Sequence, residues 1–375
     1  MSHHHPENDP QYIGLNVNAG IEKPDSVNVD SVQRFLKKGK RKMLSSDDYL
    51  KGILEGNITL LSQAVTLVES NNPDHQTIAQ EIIIKCLPHA GQSVRIGITG
   101  VPGAGKSTFI ESLGKHITKA GGKLAVLAID PSSERSKGSI LGDKTRMEEL
   151  SSDPNAYIRP SPSAGSLGGV ARKTREIIIL CEAAGFNTIF IETVGVGQSE
   201  TVVHSMVDFF LLIQIAGAGD ELQGIKRGIM EMADAIVINK ADGDNYERAQ
   251  LAAAQFRNAL HLFPPTGSGW IPPVLTCSSI EGSGVPKVWE TVGSYVAMAK
   301  ENGYFKSRRH DQARYWMYET INESLKHNFY SNTLVRHKLP HYEQLVLTDG
   351  MSSFMAAHEL LHQYFKTVGK GNGGF

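Results

Sequence analysis

The stretch of residues 100–108 reads Gly-Val-Pro-Gly-Ala-Gly-Lys-Ser-Thr. Its three glycines let the backbone curl so that successive N–H groups point at phosphate oxygens. Lys106 can reach the β- and γ-phosphates of a bound nucleotide, and the hydroxyl of Ser107 can ligate Mg²⁺. The spacing therefore predicts a nucleoside triphosphate site formed by Gly100, Val101, Pro102, Gly103, Ala104, Gly105, Lys106, Ser107 and Thr108.

A second motif, Asn239-Lys240-Ala241-Asp242, follows a short apolar run, and in open α/β sheets ligands bind where strands end. The carboxylate of Asp242 can accept hydrogen bonds from the N1–H and N2–H₂ groups of guanine, whereas adenine offers no donors there. Since each hydrogen bond to a charged group contributes roughly 1.5–3 kcal/mol, the motif predicts selectivity for guanine. The sequence therefore predicts a protein that binds GTP and GDP.

Neighbouring residues are expected to complete the guanine site. We expect Asn239 to hold the edge of the base, and the stem of Lys240 to lie along the base and support the phosphate loop. The sequence Cys-Ser-Ser-Ile-Glu-Gly at 277–282 follows the last predicted strand, where its backbone can contact guanine O6. The predicted base-binding residues are Asn239, Lys240, Asp242, Ser278, Ser279 and Ile280.

Two acids at the ends of further predicted strands can act on the phosphates. Asp130 follows the strand 124–129 and can hold a Mg²⁺-bound water, and the glycine-containing loop after it can close over the γ-phosphate. Glu192 ends another strand, where it can approach Mg²⁺, and the N–H of Gly195 can detect the γ-phosphate. Gln198 either orients the attacking water or begins a helix, and the sequence leaves both interpretations open.

A further segment, residues 214–227, leaves a predicted strand as a glycine-rich loop and enters a helix. A plain connection capped by Asp220 explains this geometry but leaves the density of charges around the glycines unexplained. Because glycine lets a backbone change conformation at low cost, we expect the loop to have two states.

The segment 358–362, His-Glu-Leu-Leu-His, matches the H-E-x-x-H pattern of zinc proteases. A catalytic zinc needs a third protein ligand, which usually lies downstream of the motif. Residues 363–375 contain no His, Asp, Glu or Cys, which leaves an upstream ligand as the alternative. We therefore do not expect a metalloprotease.

The composition is that of a globular protein with an ordinary core: 375 residues, 40% of them hydrophobic. The 38 basic and 39 acidic residues give a net charge of −1, which argues against a nucleic-acid or membrane-surface binder. We interpret the basic cluster at 37–42 as a solvated helix end or linker. Three scattered cysteines, the absence of an 18-residue apolar run and the polar N-terminus predict a cytoplasmic protein.

Between residues 93 and 302, β-rich apolar runs alternate with helical patterns. This alternation predicts an α/β fold with a mostly parallel sheet that is covered by helices on both faces. The six predicted strands comprise residues 94–99, 124–129, 188–192, 209–215, 235–239 and 274–277.

We predict four regions along the chain. Residues 1–44 form a disordered lead, and 45–92 form a helical arm that Pro73 divides into two helices. Residues 93–302 form the nucleotide-binding core. Residues 303–375 form an aromatic-rich helical extension with a further helix near its end, and we expect it to serve in oligomerisation.

Taken together, these motifs closely resemble those of the MeaB/ArgK/MMAA family, the GTPase chaperones of methylmalonyl-CoA mutase. The resemblance runs from about Asn57 through the last core strand, and the C-terminal seventy residues match only in kind. The segments that carry it are G-V-P-G-A-G-K-S-T, D-P-S-S with G-S-I-L-G-D-K-T-R-M, R-P-S-P-S-A-G-S-L-G-G-V (159–170), E-T-V-G-V-G-Q-S-E, G-A-G-D-E-L-Q-G-I-K-R-G and N-K-A-D.

The resemblance implies a homodimeric P-loop GTPase whose nucleotide state gates the loading of adenosylcobalamin into the mutase and the removal of damaged cofactor. It implies Mg²⁺-dependent hydrolysis of GTP and no tightly bound cobalamin in this chain. Methylmalonyl-CoA mutase is the expected partner, with isobutyryl- and ethylmalonyl-CoA mutases as alternatives. No nucleic-acid or membrane partner is expected.

The resemblance also implies roles for single residues. Asp130 and Asp143 belong to a first switch, and Glu192 belongs to a second. The implied Mg²⁺ site consists of Ser107, Asp130, Asp143 and Glu192. The implied catalytic residues are Lys106, Asp130, Asp143 and Glu192. The residues of a further switch that communicates with the mutase are Asp220, Glu221, Lys226 and Arg227.

Three alternatives are weighed against this interpretation. A nickel-delivery GTPase needs Cys or His ligands near the second and third strands, where Cys181 stands alone. A small-molecule kinase, such as an amino-acid transport kinase, needs an acceptor site, and no set of residues in the sequence suggests one. A scaffold that does not hydrolyse GTP differs from a GTPase only in its lack of turnover.

Overall fold

The computed structural model of the protein describes residues 44–129, 147–160, 167–193, 199–217, 227–264 and 266–371. The predicted lead and its basic cluster therefore lie outside the described residues, apart from Leu44. From Ser45 onwards the described residues form one unit. They contain seven strands and thirteen α-helices, in the order α1 (Ser46–Leu54), α2 (Ile58–Glu69), α3 (Pro73–Cys86), β1 (Val94–Gly100), α4 (Lys106–Lys119), β2 (Leu124–Ile129), α5 (Glu148–Ser152), β3 (Ala156–Arg159), α6 (Leu167–Ala183), β4 (Thr188–Thr193), α7 (Ser199–His204), β5 (Phe209–Ile215), α8 (Arg227–Met232), β6 (Ala235–Asn239), α9 (Tyr246–Leu260), β7 (Val274–Thr276), α10 (Val285–Glu301), α11 (Tyr304–Ser331), α12 (Thr333–Leu347) and α13 (Ser353–Gly371).

The seven strands described all run parallel in one sheet, in the order β3-β2-β4-β1-β5-β6-β7. The predicted α/β fold is thus confirmed, and the ends of the six predicted strands differ from the observed ends by at most one residue. Strand β3 was not predicted from the sequence. Its four residues, Ala-Tyr-Ile-Arg, are too few to show a pattern, and they form a strand through their pairing with β2 at the edge of the sheet.

Helices cover both faces of this sheet, as the sequence predicts. Alternate residues of β2 point to opposite faces, so that Leu124 and Val126 pack with α4 and α10, whereas Ala125 and Leu127 pack with the first three helices and α6. Because all strands run in the same direction, their carboxyl ends lie at one edge of the sheet. This edge is where open α/β sheets bind ligands.

Residues 45–86 form three helices, although two are expected from the sequence. Gly56, whose φ of +75° lies in the left-handed region, ends the first, and the side chain of Asn57 caps the first turn of α2. Helix α3 begins at Pro73, because a proline fits the first helical position and Asn72 caps the turn.

The long helix α11 is attached to the edge of the sheet opposite the carboxyl ends of the strands. Arg309 forms two hydrogen bonds, of 2.7 and 2.6 Å, with the carboxylate of Asp208, and Nη1 of Arg308 lies 3.4 Å from Oδ2 of Asp234. Both acids directly precede strands, β5 and β6, and both are buried. The indole N–H of Trp316 donates to the Ser205 carbonyl at 3.1 Å. Helix α11 is therefore held along its first half by buried polar contacts.

The C-terminal extension contains three described helices, where an aromatic-rich helical stretch and one further helix are expected from the sequence. Asn332 separates α11 from α12, because its extended backbone ends one helix and its side chain caps the next. Within the described ranges, none of the helices has both the length and the apolar character that crossing a membrane requires.

Candidate nucleotide-binding site

The predicted phosphate loop lies at the carboxyl end of β1, between Gly100 and the first residue of α4, Lys106. Gly103 and Gly105 have φ angles of +79° and +83°, a region that L side chains rarely adopt. A Cβ atom on Gly100 would lie 2.1 Å from the carbonyl oxygen of Ile213, so β5 leaves no space for a side chain there. The loop thus has the shape that directs backbone N–H groups into a phosphate site at a helix N-terminus.

Lys106 is half-buried beside this loop. Its Nζ donates a hydrogen bond of 2.9 Å to the carbonyl of Gly100, which holds the ammonium across the loop. Burial lowers the pKa of Lys106, whereas the carboxylates of Glu192 and Glu200 raise it. Glu192 is 5% exposed and Glu200 is 4% exposed. Glu200 was not identified from the sequence, because an acid at the start of a helix is ordinarily a helix-capping residue.

The ends of β1 and β4 are joined by a buried hydrogen bond of 2.8 Å between the hydroxyls of Thr99 and Thr193. This bond places Glu192 next to the strand that leads into the phosphate loop. The hydroxyl of Ser107 and the carboxylate of Glu192 are hard oxygen donors of the kind that Mg²⁺ prefers. The donor types present therefore fit Mg²⁺.

Asn239 connects the phosphate loop to the loop that follows β7. It is 1% exposed, and its Nδ2 donates to the Ala104 carbonyl at 2.8 Å. Its Oδ1 accepts hydrogen bonds from the backbone and hydroxyl of Ser279, at 3.1 and 2.7 Å. From its motif, Asn239 is expected to contact the edge of the base, and these hydrogen bonds add a structural role that the motif alone does not indicate.

Lys240 and Asp242 lie beside the same two loops. Lys240 adopts a left-handed backbone with φ of +59°, and its Cε lies 3.9 Å from where a Cβ of Gly105 would be. Its stem therefore passes next to the phosphate loop. The hydroxyl of Ser278 donates a short hydrogen bond of 2.5 Å to Oδ2 of the half-buried Asp242. Ile280, in the same loop as Ser278, is 83% exposed.

Several predicted site residues lie outside the described part of the chain. They are Asp130 and Asp143 of the first implied switch, Gly195 and Gln198 after β4, and Asp220, Glu221 and Lys226 before α8. Arg227 is the first residue of α8, and its side chain lies outside the described part as well. Within the described residues, the structure brings together the phosphate loop, Glu192 and the residues predicted to bind the base.

The H-E-x-x-H segment lies on α13. Its two histidines are exposed, with ring centroids 6.4 Å apart, and Glu359 accepts a hydrogen bond of 2.8 Å from Nε2 of Gln363. This bond lowers the pKa of Glu359. Among the residues that the structure describes, no group of three or more His, Cys, Asp or Glu side chains is placed to hold a metal ion.

Comparisons with known proteins extend over most of the chain. A family model described as "Methylmalonyl Co-A mutase-associated GTPase MeaB" matches residues 61–334. A putative GTPase of Caulobacter vibrioides is 50% identical over 318 residues, which cover 85% of this chain and 97% of that protein. The mouse protein named "Methylmalonic aciduria type A homolog, mitochondrial" is 44% identical over 348 residues, or 90% of this chain and 81% of that one.

Among solved structures, the chain is similar to a crystal structure of "LAO/AO transport system kinase". The two share 35% sequence identity with a TM-score of 0.69, over 84% of this chain and 96% of that one. The matched ranges of all these proteins are long enough to contain both the phosphate loop and the guanine motif.

Proposed function

Because the chain belongs to the MeaB family of methylmalonyl-CoA mutase-associated GTPases, we propose that it gates the loading of adenosylcobalamin into a B12-dependent acyl-CoA mutase. The protein is a GTPase with a P-loop fold. The observation that carries the proposal is the hydrogen-bonded connection that Asn239 makes between the phosphate loop and Ser279. Through this connection, the hydrogen bonds of Asn239 can respond both to the phosphates and to the base of a bound nucleotide.

We assign the nucleotide site residue by residue as part of this proposal. Lys106 binds the β- and γ-phosphates, and Ser107 and Glu192 hold Mg²⁺ together with Asp130 and Asp143. Mg²⁺ supplies positive charge to the phosphates when it is bound. Asp242 recognises guanine, with the backbone at 278–280 next to O6 of the base.

Communication with the mutase follows from thermodynamic linkage. A nucleotide can bias a partner only through contacts that differ between the GTP and GDP states. We propose that the charged switch makes such contacts; its residues are Asp220, Glu221, Lys226 and Arg227. The segment that contains them follows β5 in the chain, and β5 pairs with β1, the strand that leads into the phosphate loop. Methylmalonyl-CoA mutase is the proposed partner. The cobalamin passes to the mutase and is not a resident group of this chain.

Substitution of Lys226 tests the proposed coupling. We expect Lys226→Ala to leave intrinsic GTP hydrolysis within about threefold of the unaltered protein, because Lys226 makes no proposed contact with phosphate. The same change should remove most of the acceleration of hydrolysis by the mutase and should uncouple cobalamin transfer from the nucleotide state. The measurement is GTP turnover with and without methylmalonyl-CoA mutase.

The matched control is Lys287→Ala, which removes an exposed lysine from α10 where it pairs with Glu290. It should leave both rates unchanged. Equal stimulation of all three proteins by the mutase would place the communicating surface elsewhere. No stimulation of the unaltered protein would contradict the choice of partner, and a pull-down with a GTP analogue followed by mass spectrometry would then identify the partner.

We also propose that the chain forms a homodimer through its three C-terminal helices. A groove of about 840 Å³ lies between α11, α12 and α13 and has a mainly apolar lining. Among its residues, Leu325, Tyr330 and Phe365 are 61%, 57% and 63% exposed. Exposed apolar patches of this kind usually mark an interaction surface, and a second copy is the commonest partner for one.

The substitution Phe365→Glu should therefore dissociate the dimer. Burial of one phenylalanine contributes about 1.5–3 kcal/mol, and a symmetric interface contains the residue twice, so the dimer should weaken about 100-fold or more. Light scattering over a concentration series measures the change. Ile271→Glu, at a residue 83% exposed before β7, is the control that should remain a dimer. A monomeric unaltered protein, or a dimeric Phe365→Glu variant, would contradict the proposal.

The name of the solved relative suggests a kinase as the second candidate function. A kinase would transfer the γ-phosphate to an amino acid, whereas the proposed GTPase releases it as inorganic phosphate, so product analysis separates the two.

The cytoplasmic location expected from the sequence remains part of the proposal. Cell fractionation tests it against the mitochondrial location that the name of the mouse relative states.

A further inference from the structure

The helix that follows the phosphate loop, α4, holds the short helix α5 through hydrogen bonds. Oε1 of Glu111 accepts from the backbone N–H groups of Glu149 and Leu150, at 3.0 and 3.1 Å. Both groups lie in the first turn of α5, where N–H groups have no partner within the helix. Met147, which precedes α5, has no polar side chain that could cap this turn. A carboxylate from another helix therefore takes the place of a local cap.

Apolar packing and an ion pair strengthen the same contact. Met147 and Leu150 are both buried in the core cluster that contains the apolar side chains of α4. A Cβ atom on Gly114 would lie 2.7 Å from Cδ2 of Leu150, so α5 lies closely against α4 at this glycine. Lys115, the next residue of α4, forms an ion pair with Glu149. The start of α5 is therefore attached to α4 by side chains on both sides of the hydrogen bonds.

This attachment lies one helical turn from the hydroxyl that we assign to Mg²⁺. Ser107 and Glu111 are four residues apart on α4, so their side chains leave the same face of the helix. Asp143, which the proposed function also assigns to Mg²⁺, precedes Met147 by four residues. A chain of this length spans at most about 14 Å. The residues that directly follow the first switch are thus attached to the helix that provides Ser107.

We propose that Glu111 is a positioning residue for Mg²⁺-dependent GTP hydrolysis, which fixes the end of the first switch to α4 and keeps Asp143 within reach of the metal. The inference rests on the Mg²⁺ site of the proposed function and is independent of the mutase. A fixed end reduces the conformational freedom that the chain must lose when its acid binds the metal. A freed end lowers the fraction of molecules that are competent to bind Mg²⁺, and the apparent affinity for the metal falls by the same factor.

The substitution Glu111→Ala removes the acceptor of both hydrogen bonds and tests this role. We expect the Mg²⁺ concentration for half-maximal GTP hydrolysis to rise about tenfold or more, because hydrogen bonds to a charged group that hold the competent state are lost. The kcat at saturating Mg²⁺ and the Kd for GDP without Mg²⁺ should stay within about threefold, because the phosphate loop is unchanged. Glu111→Gln keeps an oxygen that can accept the same hydrogen bonds, so its Mg²⁺ requirement should stay within about threefold of that of the unaltered protein.

Asn57→Ala is the matched control. Oδ1 of Asn57 accepts from the N–H groups of Thr59 and Leu60, at 3.0 and 3.2 Å, at the start of α2. This helix packs on the face of the sheet opposite α4, so the control removes a similar pair of hydrogen bonds away from the first switch. We expect Asn57→Ala to lower the unfolding temperature about as much as Glu111→Ala does and to leave the Mg²⁺ requirement unchanged. Thermal unfolding of each variant provides the comparison.

An unchanged Mg²⁺ requirement in Glu111→Ala overturns the inference. Equal shifts in the Ala and Gln variants also overturn it, because the charge of Glu111 would then act rather than its hydrogen bonds. An equal shift in Asn57→Ala would overturn it by showing a general effect of lost stability. The assay contains GTP and Mg²⁺ but no mutase, so a wrong choice of partner leaves the result unaffected. Hydrolysis without Mg²⁺ by the unaltered protein would contradict the metal site and this inference with it.

Discussion

Lys106→Ala is expected to abolish measurable binding of GTP and GDP under conditions in which the unaltered protein is saturated. The loss should be about 100-fold or more in Kd, since two hydrogen bonds between the ammonium and phosphate oxygens contribute roughly 1.5–3 kcal/mol each. The buried carboxylates of Glu192 and Glu200 increase the loss, because the ammonium no longer offsets their negative charge. Titration with a fluorescent GDP analogue measures the effect.

The matched control is Lys119→Ala, at an exposed lysine in the last turn of the same helix. It should bind GDP with unchanged affinity, and both variants should unfold at temperatures close to that of the unaltered protein. Lys106 donates its hydrogen bond to the carbonyl of Gly100 in the phosphate loop, and its side chain is not part of the hydrophobic core. Nucleotide binding by Lys106→Ala at the affinity of the control would remove the phosphate loop as the site.

Asp242→Asn is expected to change the base that the protein prefers. The asparagine amide presents a donor where guanine also has donors, so the two charge-assisted hydrogen bonds to the carboxylate are lost. Each of these bonds contributes roughly 1.5–3 kcal/mol, so the Kd for GTP should rise about 100-fold or more. Xanthine has a carbonyl in place of the guanine amino group, and this carbonyl can accept from the amide. Xanthosine triphosphate should therefore bind better to the variant than to the unaltered protein. Competition against fluorescent GDP and its xanthosine counterpart measures both changes.

Asp244→Asn provides the control, because Asp244 is an exposed acid two residues further along the chain. Its selectivity should be that of the unaltered protein. The short hydrogen bond from Ser278 to Asp242 also predicts that the orientation of the carboxylate depends on the loop after β7. Competition by ATP as strong as that by GTP in the unaltered protein would show that the base assignment is wrong.

The core strands and the phosphate loop were predictable because their information is local. Strand β1, the loop and α4 follow one another within residues 94–119, and each has its own pattern of apolar residues and glycines. The missed strand β3 and the division of the N-terminal arm at Gly56 depend on weaker signals. A four-residue segment has no periodicity to detect, and a single glycine in a helical pattern does not by itself end a helix.

The contacts within the site were less predictable than its residues. The motif at 239–242 identifies Asn239, but its bonds to Ala104 and Ser279 join residues 135 and 40 positions away. Glu200 ends the segment E-T-V-G-V-G-Q-S-E, but its burial at the start of α7 depends on the way α7 packs on Gly97. Likewise, the pairs that Arg308 and Arg309 form with buried acids could not be read from a helical sequence rich in charges.

By itself, the sequence determined the fold class, the phosphate loop and the family, because glycine spacing, strand periodicity and motif residues are properties of neighbouring positions. Only the tertiary structure decided which buried charges surround Lys106 and how the two nucleotide loops are joined. It also decided where α11 is attached to the sheet. These features depend on contacts between distant segments, whose energy comes from desolvation and hydrogen-bond geometry that exist only once the chain has folded.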